Sequence, residues 1–227
     1  MSIYKKIEHA PEDEYDYLIK LLALGMRKFS FHVIPSYLYT DDVFNERYSS
    51  TVGVDFKQKR VLRETKDQDG LLGQAQRLHL QLWDTAGQER YRSLCKVFFR
   101  DSMGFLLVFD LTNEKSLINC REWMQILREN AYCDTPDVVL VGNKADLTGE
   151  RTVTAGMANI LAKELNVPYI ETSSATGLNV KEAVHLLLDS VMTRIEDSIF
   201  TGQLQPQGAN DRDRVNLDKK KASNCNC

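Results

Sequence analysis

A chain of 227 residues, 43% hydrophobic and 27% charged, has material for one sizeable core and too little length for a second full domain. A formal net charge of -3 excludes the strongly basic face of a nucleic-acid binder, so no nucleic-acid partner is expected. The longest apolar runs, such as 103–109, are far too short to cross a bilayer, which leaves membrane contact to an anchor.

Residues 1–16 are polar and acidic, with Glu12, Asp13, Glu14 and Asp16 and no apolar core of a signal peptide; Ser2 in place of glycine removes a myristoylation reading. From Tyr17, the run Leu18-Ile19-Lys20-Leu21-Leu22-Ala23-Leu24 ends in Gly25 and reads as a buried strand feeding a turn. In many nucleotide-binding folds a phosphate loop, G-x-x-x-x-G-K-[ST], opens there, its backbone N–H groups curling around phosphates. Here Gly25 is followed by Met26-Arg27-Lys28-Phe29-Ser30-Phe31-His32-Val33-Ile34-Pro35, and the second glycine, the lysine and the hydroxyl are missing at their spacing. Bulky side chains restrict the left-handed conformations such a loop needs, Lys28 falls too early, and Pro35 discourages the helix that should follow.

Residues 39–50 are polar and loop-like, after which Val52, Val54 and Phe56 alternate as a strand does. Thr51, just before it, offers a hydroxyl and an N–H to a metal ion and a γ-phosphate. A strand over 56–63 and a second over 78–83 flank a glycine-containing insert, 66–74, and predict an antiparallel hairpin. The second strand carries Leu78, Leu80 and Leu82 on one face and runs out into Trp83-Asp84-Thr85-Ala86-Gly87-Gln88-Glu89-Arg90. That order suits a nucleotide switch: Asp84 holds Mg²⁺ through its water shell, the Gly87 N–H reports a γ-phosphate, and Gln88 orients an attacking water.

Met103 to Asp110 is a continuous apolar run, typical of a central parallel strand covered on both faces. A helix is predicted over 114–129, with Leu117, Trp123, Ile126 and Leu127 as its apolar positions. The strand 137–142 delivers Asn143-Lys144-Ala145-Asp146 at its end. A helix around 156–165 leads to a strand at 168–170 and then to Glu171-Thr172-Ser173-Ser174-Ala175-Thr176-Gly177. In the last helix Val180, Ala183, Val184, Leu187, Leu188, Val191, Met192 and Ile195 repeat at three and four, a wide stripe that must face a sheet. Beyond Phe200 the chain is polar, and residues 201–227 read as a disordered tail.

Strands alternating with helices after one early hairpin specify an α/β fold, a doubly wound mostly parallel sheet with one antiparallel edge hairpin. Ligands of such sheets bind outside the carboxyl ends of the strands, where the motifs at 84–88, 143–146 and 173–175 all fall. An Asn-Lys-x-Asp turn is specific: the Asp146 carboxylate accepts from both N1–H and the exocyclic amine of guanine, and adenine reverses that pattern. Five cysteines show no framework spacing, with Cys95, Cys120 and Cys133 scattered, which points to a reducing compartment. His9, His32, His79 and His185 lie too far apart for a metal site and read as surface or core histidines.

With these motifs the chain resembles a Rab-type small GTPase, over about residues 17–200 plus the tail. Val52-Gly53-Val54-Asp55-Phe56, the stretch from Trp83 to Arg90 and Glu171-Thr172-Ser173 carry the likeness. Phe98-Phe99-Arg100-Asp101-Ser102-Met103-Gly104-Phe105 and the long insert before Leu78 look most like the Rab subgroup of melanosome and secretory-granule transport. The resemblance implies a phosphate-binding-loop fold with three parts: a polar extension at 1–16, a G domain at 17–200, and a tail at 201–227. It implies GTP or GDP with Mg²⁺ as ligands and a GTP-dependent switch in vesicle traffic and regulated exocytosis. Thr51 and Asp84 are then the metal contacts, and Thr85, Ala86 and Gly87 line the γ-phosphate with Gln88 as the catalytic residue. Asn143, Lys144 and Asp146 read the base, with Ser173, Ser174 and Ala175 closing over it through backbone N–H groups. Phe56, Trp83 and Phe98 match an aromatic triad read by effectors.

Cys225-Asn226-Cys227 resembles a doubly geranylgeranylated end, and two chains give durable anchoring. Lys219-Lys220-Lys221 adds attraction to anionic lipid. The implied partners are Rab effectors, an exchange factor, a GTPase-activating protein, a prenylation escort and a GDP-dissociation inhibitor. The implied location is the cytoplasmic face of vesicle, granule or melanosome membranes, with a cytosolic pool. Residues 26–38 depart from the family pattern between intact motifs, as an alternative exon or an incorrect gene model would make them. Two alternatives to the switch follow: a nucleotide-poor pseudo-GTPase that still binds partners, and a non-functional variant lacking the phosphate loop.

Overall fold

Apolar runs too continuous to leave a face to solvent form the inner strands of a seven-stranded sheet. The computed structural model describes residues 2–7, 14–25, 39, 54–66, 72–85, 99, 101–131 and 136–201. Its strands are β1 (Ser2–Lys6), β2 (Tyr17–Gly25), β3 (Val54–Lys66), β4 (Leu72–Thr85), β5 (Gly104–Asp110), β6 (Asp137–Asn143) and β7 (Tyr169–Glu171). Three helices lie among the described residues: α1 (Glu114–Asn130), α2 (Ala155–Leu165) and α3 (Val180–Phe200). The strand order is β1-β3-β4-β2-β5-β6-β7. Pairing is parallel from β4 through β7 and antiparallel in β1–β3 and β3–β4.

Alternation within β2 divides the core. Ile19, Leu21 and Ala23 join Leu78, Leu80, Leu82, Leu106 and Val108 under α3, whereas Leu22 and Leu24 join Phe105, Leu107 and Phe109 under α1 and α2. All eight positions of the stripe read from the sequence of α3 are buried. The approach of α3 to β5 depends on Gly104: a Cβ there would lie 2.9 Å from Leu187 Cδ1 and from Val191 Cγ2.

Helix starts follow local chemistry. Asn113 Oδ1 accepts from the Lys115 N–H at 3.0 Å ahead of α1, and Thr154 Oγ1 from the Met157 N–H at 3.3 Å ahead of α2. Asn166 closes α2 in the left-handed conformation at φ 58°. Replacing Thr154 by alanine is expected to cost about 1 kcal/mol, read as a lower urea midpoint at unchanged slope.

The hairpin is longer than the sequence indicates, pairing from Val54↔Thr85 to Lys66↔Leu72 with a shift of register between Glu64 and Lys66. Its outer part is rich in lysine, arginine and glutamine, so no apolar alternation announces it. The seventh strand, β1, falls in the polar extension. Five residues with two lysines carry too short a pattern to be recognised, and their pairing partner is more than fifty residues away, at Val61–Thr65. Cys120 is a free, buried cysteine whose thiol is pushed up to about 12 by burial; Cys95 and Cys133 lie outside the described residues.

Candidate nucleotide site

Parallel pairing brings the carboxyl ends of β4, β2, β5, β6 and β7 to one edge of the sheet. Asp84 and Thr85 end β4, with Asp84 in register with Ala23 of β2. Gly25, where the phosphate loop is expected to open, ends β2 between β4 and β5. Asn143 ends β6, and Thr172 to Ala175 follow β7. Between the ends of β4 and β6 lie three interstrand steps, about 14 Å in all.

The two loops beyond β6 and β7 are fastened to each other. Asn143 is 5% exposed, and its Oδ1 accepts from Thr172 Oγ1 at 3.3 Å, from the Ser174 N–H at 3.1 Å and from Ser174 Oγ at 3.1 Å. The Ser173 hydroxyl donates to Asp146 Oδ1 at 2.5 Å and accepts from the Thr176 N–H at 3.1 Å. The Ala145 N–H donates to the Thr172 carbonyl at 3.0 Å, so backbone as well as side chains joins the loops. Asp146 is exposed, with one carboxylate oxygen fixed by Ser173. A carboxylate held in this way by buried neighbours is oriented before any ligand arrives.

Lys144 adopts φ 69°, unusual for a residue with a side chain, and its ammonium lies 2.7 Å from Asp110 Oδ2. Asp110, 5% exposed at the end of β5, also accepts through Oδ1 from the Thr112 N–H and hydroxyl at 2.8 and 2.7 Å. Asp110 is not among the residues that the sequence motifs assign to the site. The available signal was positional, because it ends a central parallel strand as the recognised motifs do. Gly142, just before Asn143, sits where a Cβ would come within 2.9 Å of the Tyr169 hydroxyl. The Tyr169 hydroxyl, the Phe109 ring and Leu111 occupy the space over Gly142, so any larger residue would have to displace them.

A second unassigned pair steadies the loop after β7. Arg151 Nη1 donates to Glu171 Oε2 at 2.9 Å, Arg151 Nη2 pairs with Glu171 Oε1, and the Tyr169 hydroxyl donates to the same carboxylate at 2.8 Å. Asn179 Nδ2 donates to the Glu171 carbonyl at 2.8 Å. The hydrogen bond from Arg151 is the largest influence on the Glu171 carboxyl and, against the opposing effect of burial, holds it below its ordinary value. A depressed folded-state pKa contributes stability above the unfolded value and loses it as the pH falls through the folded one. Arg151→Met is therefore expected to lower stability by about 0.5 to 1 kcal/mol near neutral pH. In urea unfolding the difference from the parent should shrink and vanish as the pH falls through the lowered folded-state pKa of Glu171.

The structure thus fastens the loop that carries Asn143, Lys144 and Asp146 to the loop that carries Ser173, Ser174 and Ala175. Phe56 and Trp83 are cross-strand partners in register, and the Lys20 ammonium stands 4.8 Å from the centre of the Trp83 ring. Thr51, Ala86, Gly87, Gln88, Phe98, Cys225 and Cys227, together with the stretch 26–38, lie outside the described residues. Among the described residues no cluster of histidine, cysteine or carboxylate side chains is built to hold a metal ion. No described helix is long and apolar enough to cross a membrane.

An α/β sheet carrying a fastened Asn-Lys-x-Asp loop at its carboxyl edge is the frame of a guanine-nucleotide-binding G domain. The Ras family model matches residues 35–193, and the chain belongs to the Ras family of small GTPases. It is 50% identical over 219 residues to the Ras-related protein Rab-27B of Homo sapiens, covering 95% of this chain and 98% of that one. To the Ras-related protein Rab-27A of Homo sapiens it is 47% identical over 221 residues, covering 95% and 99%, and to that of Sus scrofa 48% over the same length.

Proposed function

We propose that this chain is a GTP-binding regulatory switch of vesicle traffic and regulated exocytosis, binding effectors in its GTP state and hydrolysing GTP to GDP. The observation that carries the reading is the buried Asn143 amide holding the Ser174 loop while Ser173 orients the Asp146 carboxylate. Asp146 fits guanine through N1–H and the exocyclic amine, and the Lys144 stem packs along a base plane. The carboxyl edge leaves about three strand spacings between this base site and Asp84, room for a nucleotide laid along the sheet.

In this reading Thr51 and Asp84 hold Mg²⁺, Thr85 to Gly87 face the γ-phosphate, and Gln88 orients the attacking water. Phe56, Trp83 and Phe98 meet effectors, and an exchange factor and a GTPase-activating protein act on the switch segments. Geranylgeranyl groups on Cys225 and Cys227 anchor it to granule membranes, with a prenylation escort and a GDP-dissociation inhibitor as partners. Support comes from the similarity to Rab-27A and Rab-27B along nearly the whole chain.

A second reading is favoured by one observation: residues 26–38 lack, at their spacing, the second glycine, the lysine and the hydroxyl of a phosphate loop, and the family match begins at residue 35. It is a nucleotide-poor interaction module that keeps its partner-binding face. Titration of the purified chain with Mg²⁺ and either GTP or ATP separates the two. Saturable binding of GTP and not ATP, lost in Asp146→Ala, supports the switch. A well-folded chain that binds neither nucleotide supports the second reading.

A further inference from the structure

A thirteen-residue strand at the margin of a sheet presents a row of unpaired N–H and C=O groups, and β3 would be such a strand without β1. Ser2–Lys6 covers it antiparallel, from Ser2↔Thr65 to Lys6↔Val61, and the Ile7 N–H adds a hydrogen bond to the Arg60 carbonyl at 3.3 Å. Yet β1 is lightly held. None of its residues is fully buried, whereas the neighbouring edge includes Val61 at 2% and Arg63 at 4% exposure.

What β1 offers that edge is chemically specific. The Tyr4 ring stacks on His185 of α3 with centroids 4.3 Å apart, and its hydroxyl donates to Asp189 Oδ1 at 2.7 Å. The Lys5 ammonium reaches both oxygens of Glu64, at 2.8 and 2.7 Å. Beneath the strand, Arg63 donates to Ser2 Oγ at 3.3 Å and pairs with Glu196. The covered surface therefore consists of a strand edge, an aromatic seat on His185, and the three carboxylates of Glu64, Asp189 and Glu196 against one buried guanidinium.

We propose that the Val61–Thr65 edge of β3 is a strand-acceptor site for an extended basic segment carrying an aromatic residue, and that Ser2–Lys6 occupies it in cis. The partner is a peptide strand that repeats the pattern of β1, with an aromatic residue over His185 and a following lysine against Glu64. Alternation supplies the specificity, because the aromatic and the lysine point to opposite faces of the sheet. The tether between β1 and β2 fixes the competition. A segment joined by a short linker acts at an effective concentration in the millimolar range, so a partner in trans gains the edge only when β1 is removed or weakened. The site lies on β3 and α3, away from the carboxyl edge, and does not depend on bound nucleotide.

The test uses a fluorescein-labelled peptide of sequence Ser-Ile-Tyr-Lys-Lys-Ile, read by anisotropy against the intact chain, a variant lacking residues 1–7, and the full-length double variant Tyr4→Ala/Lys5→Glu. Both variants are expected to bind the peptide at least about thirtyfold more tightly than the intact chain does. The gain should disappear for a peptide with alanine in place of tyrosine and in Asp189→Ala proteins. The full-length double variant keeps the test open if the truncated chain does not fold. Failure of folded variants to bind the peptide, whether monomeric or paired with a second copy, overturns the proposal. Equal binding by the intact chain and the variants overturns it as well.

Discussion

Replacing residues 26–38 by a phosphate loop with its glycines, lysine and threonine is expected to tighten GTP and GDP binding by more than about a thousandfold. Hydrogen bonds to charged groups contribute roughly 1.5 to 3 kcal/mol each, and a phosphate loop supplies several along with a lysine ammonium. Even after a discount for non-additivity, about 5 kcal/mol remains, which sets the expected ratio. The loops of the proposed base site are already fastened, with Ser173 fixing Asp146 and Asn143 fixing Ser174. A nucleotide then gains from the loop without a further ordering cost at the base. Calorimetric titration of both proteins in Mg²⁺ gives the ratio. Affinities within tenfold of each other would show that residues 26–38 bind phosphate through a route unlike a glycine nest.

Leu187→Ala is expected to destabilise the fold by about 3 kcal/mol. Leu187 is fully buried, lies midway along α3, and packs against the bare backbone of Gly104. Loss of its side chain removes the contact that glycine was needed to admit, and a helix held to β5 and β6 by its whole apolar stripe cannot collapse locally into the gap. In a domain of this size the melting temperature should fall by about 6 to 12 °C. Thermal unfolding by circular dichroism reads the shift. A fall of only a degree or two would mean that α3 is not tightly seated on β5.

Periodicity made most of this fold legible. The stripe of α3 and the apolar runs of β2, β5 and β6 name their own partners, because an element buried on two faces shows no polar interruption and one buried on one face repeats at its own period. The proposed base site is readable in the sequence for a different reason. Asn143 to Asp146 and Ser173 to Ala175 are contiguous in sequence, so their spacing is preserved whatever the rest of the chain does. Asp110, Arg151 and Glu171 were not recognised, since each acts through a residue distant in sequence and only the parallel order of β5, β6 and β7 brings them together. The strand β1 was hidden by its lysines. Lys5 finds Glu64 only across the sheet, and nothing local distinguishes it from an exposed charge. The apolar residues of β1, Ile3 and Tyr4, are too few to show a period, and Tyr4's partner His185 sits on the last described helix.

Lys144 bears on the relation between stability and use. Its left-handed backbone costs a residue with a β-carbon about 1 to 2 kcal/mol, a cost glycine would avoid. On backbone grounds alone, glycine would stand at that turn. The lysine that stands there brings an ammonium to the buried carboxylate of Asp110. Backbone strain and the pairing of a buried charge thus pull in opposite directions at one residue, and glycine there would relieve the first while leaving Asp110 without its ammonium.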